Sequence, residues 1–385
     1  MSFRKRNVGL SGSGRSPVAQ TAPQEHAQLS GCRPSAVDGR SVTSTGTASL
    51  DALLAGHSGL TLGCTLLIEE SGTTDYAGAL LRFFAAEGLL QDHHVHVIGM
   101  PEQWGRELPG AVGDSDKKDK PAGSSEKMKI AWRYESLGQF GASTNARERS
   151  QPTSASKGQG EETTTQSFCH TFDLTKRLVH PASSRLDFLQ LNMNPSQSPF
   201  GPVLEQLSAA MSNSAPNIVH RVVIPSMLSP ALYPPHCSEP RYILQFLHGL
   251  RALSAEHLNR ITVMMSLPLS LYPRSSGLVR WIELLADGVL ELSPFPHSAD
   301  ADANASRGPS GTAEEPSQGL LQVHCIPMLH DRASGTAPAE NDWTFTLSRR
   351  KFTIKPFNLP PIEGDTDAQH ASGTEPKGKK ANVEF

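Results

Sequence analysis

Neither sign of charge prevails in this sequence: 35 Lys and Arg stand against 38 Asp and Glu, a formal net charge of -3. That balance excludes a chain coated with basic residues for nucleic acid, so any RNA contact has to be local or shared with partners. Apolar runs are short, and none reaches the roughly 18 residues of a membrane span. No membrane association is expected. The N-terminal MSFRKRNVGLSGSGRSP begins basic but lacks the apolar stretch of a secretory signal. Cysteine is sparse as well. Cys32, Cys64, Cys169, Cys237 and Cys325 are odd in number and never spaced C-x-x-C. Free thiols in a reducing compartment account for them better than disulfides or a zinc site, which gives cytoplasm and nucleus as the expected location.

Hydrophobic residues, at 37 %, are few for a compact chain of 385 residues, whereas 32 Gly and 29 Pro are many. Part of the chain therefore surrounds a core without joining it. Residues 1–34 read as a disordered arm and 363–385 as a disordered tail, the latter carrying the basic KGKK. Charged or Ser/Thr-rich inserts are expected at about 110–127, 141–166, 298–318 and 332–341. Such segments bury too little apolar surface to offset the entropy of ordering them. Within 35–362 this leaves roughly 250 residues, the size of one α/β domain.

That remainder alternates between strand and helix patterns. TLLIEE (65–70) is a buried strand, followed by a helix through YAGALLRFFAAEGLL in which Tyr76, Leu80, Phe83 and Phe84 share a face. Thr74 or Asp75 is the expected N-cap and Gly88 the expected stop. VHVIGM (95–100), NIVHRVVIPS (217–226) and RITVMMSLP (260–268) read as strands; helices are expected around 202–211, from Ile243 to Leu253, and from Leu278 to Leu285. GVLELSPF, LQVHCIPML and DWTFTLSRRKFTIKPF add late strands. The pattern is that of an α/β fold: a mostly parallel central sheet flanked by helices, with an antiparallel extension.

The segment Thr43–Asp75, TSTGTASLDALLAGHSGLTLGCTLLIEESGTTD, runs as turn, short helix, glycine turn, buried strand and loop before the helix. It resembles the start of RecA-like ATPase domains. An active phosphate loop would read G-x-x-x-x-G-K-[ST], with backbone N–H groups cradling phosphate, lysine adding charge and the hydroxyl holding Mg²⁺. Here Gly72-Thr73-Thr74 fills the G-K-T slot with threonine in place of lysine, and Leu67 stands where the first glycine belongs. Glu69 and Glu70 precede the loop and Asp75 follows it, so carboxylates face the place of a triphosphate. The strand through Ile224, where a Mg²⁺-holding acid is due, ends in Pro225-Ser226.

Further segments resemble one family closely, the Elongator complex protein 4 family, also called PAXNEB. They are TSTGTASLDALLAG, LLIEE with LLRFFAAEGLL, HHVHVIGM, MKIAWRYE (128–135), FCHTFDLTKR (168–177) and RRKFTIKPFNLPP (349–361). The resemblance spans about 43–361. It implies a RecA-like fold degenerate in its nucleotide motifs and no catalytic residues. It also implies a six-membered ring with Elongator proteins 5 and 6 that docks on core subunits 1 to 3 and contacts tRNA. The whole complex installs carboxymethyl-type groups on wobble uridine (U34), the radical chemistry belonging to another subunit. No cofactor is expected of this chain alone, although ATP between ring subunits stays open. An active RecA-class NTPase and a transcription-associated scaffold built on the inserts are the competing readings.

Smaller motifs carry less. His93, His94 and His96 invite a metal reading, but two imidazoles on one strand face do not complete a tetrahedral site; a solvated strand start is expected, and no metal. His170 and Asp173 could be drawn as an acid–base pair, with a turn-fixing role preferred. Arg133, between Trp132 and Tyr134, and the basic clusters Lys176-Arg177 and Arg349-Arg350-Lys351 are the candidates for tRNA or partner contact, against the plainer reading of a solvated face.

Overall fold

The computed structural model describes residues 29–54, 58–112, 167–296, 316–327 and 342–357. At its centre lies a nine-stranded sheet. The strands are β4 (Thr65–Glu70), β5 (His94–Ile98), β8 (Arg185–Leu189), β9 (His220–Ile224), β10 (Ile261–Pro268), β11 (Gly288–Pro294), β12 (Gly319–Cys325), β13 (Trp343–Leu347) and β14 (Phe352–Pro356). Their order is β14-β13-β12-β11-β4-β10-β9-β5-β8. From β8 to β11 all neighbours are parallel, while β11 to β14 form an antiparallel extension. The expected α/β architecture is therefore present. Two small antiparallel sheets lie beside it: β1 (Cys32–Pro34), β2 (Ser41–Thr43) and β3 (Leu60–Thr61), and the pair β6 (Pro109–Ala111) with β7 (Phe172–Arg177).

Alternation along the strands divides the core between two faces. Leu66 and Ile68 of β4, Val95 and Val97 of β5 and Met264 of β10 pack with α1 (Ala48–Leu53) and α2 (Tyr76–Leu90). Leu67, Ile98, Val263 and Met265 face the other way, onto α4 (Gly201–Asn213), α5 (Pro240–Glu256) and α6 (Gly277–Leu285). A short α3 (Gln103–Arg106) follows β5. Helix α5 buries Tyr242, Ile243, Phe246, Leu247 and Leu250, the one-sided spacing of a helix lying on a sheet. Helix α2 is buried on almost every side: away from the central sheet it packs on β6, Phe83 meets the Phe172 ring of β7 at 5.8 Å, and Tyr76 meets the Phe345 ring edge-on at 4.9 Å.

Several local expectations need correcting. Gly88 does not stop α2, which continues to Leu90; it is a buried position inside the last turn. On α6 Trp281 is 55 % exposed, and Val279, Ile282 and Glu283 are the buried residues of that helix. Strand β1 begins at Cys32, within the expected N-terminal arm. Gly110 and Ala111 pair with β7 inside the expected 110–127 insert. Gln318, expected to close the third insert, is tied by its backbone to Phe295 and Phe345. Residues 1–28, 113–127, 141–166, 298–315, 332–341 and 363–385 lie outside the described residues.

Candidate functional site

Strand β4 is flanked on both sides, by β10 and β11, and delivers Glu69 and Glu70 to its C-terminal end, the end at which open α/β sheets bind ligands. Alternation sends the two carboxylates to opposite faces. Glu70 turns into the N-terminus of α2: its Oε1 accepts from Thr74 Oγ1 at 2.7 Å and from the Tyr76 amide at 3.0 Å, and its Oε2 accepts from the Ala77 amide at 2.9 Å. The free N–H groups of a helix start form a ready anion site, and here the chain's own carboxylate sits in it. Burial raises the Glu70 pKa, while Thr74 and the two amides oppose the rise.

The rest of the loop conforms to that arrangement. Asp75, expected to cap α2, stands at the N-cap position without a side-chain capping bond and reaches Arg82 at 2.6 Å. Gly72 adopts φ +92, a left-handed conformation open to glycine, and its carbonyl accepts from Ser270 Oγ at 2.9 Å. Thr73, in the lysine slot, is exposed. The cavity between Glu70, Thr74, Ser226 and Ser266 measures about 40 Å³. Small-molecule pockets need about 300–1,000 Å³; this one has room for water. Strand β10 lies between β4 and β9. It ends in Leu267-Pro268, and β9 ends at Ile224 and is followed by Pro225-Ser226, so neither offers a carboxylate for Mg²⁺.

On the opposite face Glu69 is wholly buried, and neither of its oxygens accepts a well-formed hydrogen bond, although Arg274 Nε lies 3.3 Å from Oε2. The same guanidinium serves Glu283 at 2.7 Å, Glu291 at 3.4 Å and the His324 ring at 2.8 Å. Burial, followed by the neighbouring Glu283 charge, pushes the Glu69 carboxyl up to about 8. Arg280 adds a second cation at Glu283, 3.2 Å away, which leaves buried Glu69 the poorest served of the three carboxylates and the one favoured in its protonated form.

The basic residues behave differently from the acidic loop. Lys176 and Arg177, at the end of β7, and Arg349, Arg350 and Lys351, in the β13–β14 turn, are all exposed and become neighbours, because the Leu174 amide donates to the Arg349 carbonyl at 3.0 Å. Beneath them lies Asp173, buried, with Arg349 Nε at 3.4 Å and Arg350 Nε at 3.8 Å. The Thr175 hydroxyl and amide, with Arg349 in support, hold the Asp173 carboxyl below its usual range. Two clusters far apart in sequence thus make one cationic patch. Arg133, with Trp132 and Tyr134, lies outside the described residues.

His170 does not pair with Asp173. Its amide and Nδ1 bond the buried Glu87 at 2.9 and 3.0 Å, and that bond raises the imidazole's pKa. The HHVHV histidines are not a solvated strand start either: His93, His94 and His96 are all buried. His93 Nδ1 accepts from Arg221 Nε at 2.9 Å. Arg221, fully enclosed, also donates to the carbonyls of Ser44 and Phe84, each at 2.9 Å, and to Thr43 Oγ1 at 2.7 Å. Its guanidinium thereby ties β9 to the TSTG turn and to α2. His94 and His96 meet His220, a third imidazole that a local reading of HHVHV cannot supply because it comes 124 residues later.

With this geometry in place, comparison with known proteins is informative. A family model described as PAXNEB protein matches residues 25–385. The chain is 32 % identical over 365 residues to Elongator complex protein 4 of Schizosaccharomyces pombe, covering 90 % of this chain and 92 % of that protein. Elongator complex protein 4 of Saccharomyces cerevisiae is 28 % identical, with 88 % and 78 % covered. The Homo sapiens protein of the same name is 27 % identical, with 91 % and 84 % covered.

Proposed function

The chain belongs to the PAXNEB family of Elongator subunits, and from that premise we propose that it acts without a nucleotide of its own, as a non-catalytic member of a RecA-like ring. The ring partners are Elongator proteins 5 and 6. The assembly docks on the core subunits, contacts tRNA and supports carboxymethyl-type modification of wobble uridine, in cytoplasm and nucleus.

The observation that carries this reading is Glu70. A carboxylate bonded to Thr74 and to the Tyr76 and Ala77 amides already satisfies the groups that would grip a β-phosphate, and an approaching triphosphate meets its charge at close range. With no lysine to offset that charge, the C-terminal end of β4 stabilises the fold and does no phosphoryl chemistry. The subunit's contribution then lies in the surfaces it offers to neighbours, among them the patch around Lys176 and Arg349.

Calorimetry of the isolated chain with Mg·ATP is expected to show no binding, and affinity purification followed by mass spectrometry is expected to recover two RecA-like siblings. Saturable ATP binding that is lost when Thr74 and Tyr76 are replaced would overturn the reading. The assembled ring is assayed separately, since a nucleotide between subunits draws on residues of other chains.

A further inference from the structure

Strands β5 and β9 bring three imidazoles together inside the sheet, and β8 sets a carboxylate beside them. His94 is the register partner of His220 on β9, and His96 that of Asp187 on β8. One ring nitrogen from each histidine lies within 4.8 Å of those of the other two. All three rings are buried, whereas Asp187 is half exposed, at the wall of a cavity of about 610 Å³ shared with Leu186, Phe188 and Gln206.

His220 Nε2 lies 2.8 Å from Ser214 Oγ, which accepts from Arg260 Nη2 at 2.5 Å. A neutral imidazole has one N–H and one lone pair, so of His220 Nδ1 and His96 Nε2, 2.9 Å apart, one donates and the other accepts. His96 Nδ1, buried and 3.6 Å from Asp187 Oδ2, has no hydrogen-bond partner. His94 Nε2 donates to Asp187 at 2.6 Å, and its buried Nδ1 is likewise left without a partner. The result is a nitrogen-rich pocket beside a carboxylate, with two buried imidazole nitrogens left unpartnered. It matches the donor set of a cation better than that of a hydrogen-bonded core.

We propose that His94, His96, His220 and Asp187 form a structural metal site of the zinc type, fastening the edge strand β8 to β5 and β9. Three imidazoles and one carboxylate suit Zn²⁺, which takes such ligands tetrahedrally at about 2.0–2.2 Å. Ligand atoms in that geometry stand ~3.4 Å apart; the three histidines offer nitrogens within 4.8 Å of one another, and Asp187, 2.6 Å from His94 and 3.6 Å from His96, has to swing in to complete the set. Ser214, itself held by Arg260, provides the outer hydrogen bond that orients a ligating histidine. With Asp187 as fourth ligand the coordination is closed, which marks the site as structural. The inference is independent of the reading of the β4 loop.

The test uses the full chain, stripped with chelator and titrated with Zn²⁺ and with Co²⁺. Wild type is expected to bind one Zn²⁺ per chain with sub-micromolar affinity, to melt several degrees higher when loaded, and to give the intense visible bands of four-coordinate Co²⁺. His220→Asn is expected to weaken Zn²⁺ binding at least about 100-fold. Asp187→Asn, at a half-exposed position that leaves the fold intact, is expected to weaken it about tenfold and to alter the Co²⁺ spectrum. Zn²⁺ binding no tighter in wild type than in His220→Asn overturns the site. Should His220→Asn fail to fold, a Co²⁺ spectrum identical in wild type and Asp187→Asn overturns it equally.

Discussion

Glu70 is one residue in the place of a bound ligand, and its removal should be legible in stability before it is legible in function. Glu70→Ala leaves the Tyr76 and Ala77 amides and the Thr74 hydroxyl without their acceptor. Losing a charged cap of this kind costs about 1–2 kcal/mol, to be read from chemical denaturation. Inorganic phosphate should then restore part of the loss in the variant and add nothing comparable to wild type, because the vacated helix start accepts anions. Its neighbour Glu69 predicts a pH effect of definite sign. Its carboxyl is raised from the ordinary 4.5 to about 8 in the folded chain. A folded pKa above the unfolded one means the associated stability is whole at pH below 4.5 and is lost as the pH climbs through 8. Glu69→Gln, which needs no proton to stay neutral, is expected to flatten the decline between pH 4.5 and 8. A melting temperature with the same pH slope in both proteins would refute the assignment.

Elements carry a different lesson, visible at Gly88. The spacing of AAEGLL suggests a helix stop, since glycine terminates helices more often than it fills them. Its actual role is room. A Cβ there would lie 2.6 Å from Arg221 Cδ and 2.9 Å from Val95 Cγ2. Arg221 cannot retreat, because its guanidinium is fixed to His93, Ser44, Phe84 and Thr43. Gly88→Ala therefore sets a helix-propensity gain of about 1 kcal/mol against overpacking of about 1–3 kcal/mol around an immobile side chain. The expected outcome is net destabilisation of up to about 2 kcal/mol, measured by urea unfolding. The strong elements could be read from the sequence: TLLIEE and ITVMMSLP are apolar runs of the kind a doubly covered parallel sheet buries, and VHVIGM reads as a strand although the burial of its flanking histidines does not. RLDFL could not. An edge strand of five residues with two charged side chains has no alternation strong enough to separate it from a loop.

At the scale of the whole molecule, what the sequence conceals is which distant segments meet. The loop between β4 and α2 is local, so the threonine at position 73 could be seen at once. The histidine cluster, the Arg221 hub and the cationic patch join segments that only the sheet order brings together. The patch also shows where charge is already committed. Arg349 and Arg350 approach Asp173 within 4 Å, and reversing either one injures the fold along with any binding. Arg177 and Lys351 are the better probes: both are exposed, and Arg177 donates to the Glu107 backbone carbonyl at 3.0 Å and not to a carboxylate. Replacing both with glutamate should leave the melting temperature nearly unchanged, as surface substitutions do. If this face meets tRNA within the assembled complex, the double variant lowers RNA affinity and reduces the slope of log K against log salt by roughly 0.7–0.9 for each phosphate no longer neutralised. An unchanged slope with weakened recovery of sibling subunits would instead make the patch a protein interface, and the two measurements together tell these outcomes apart.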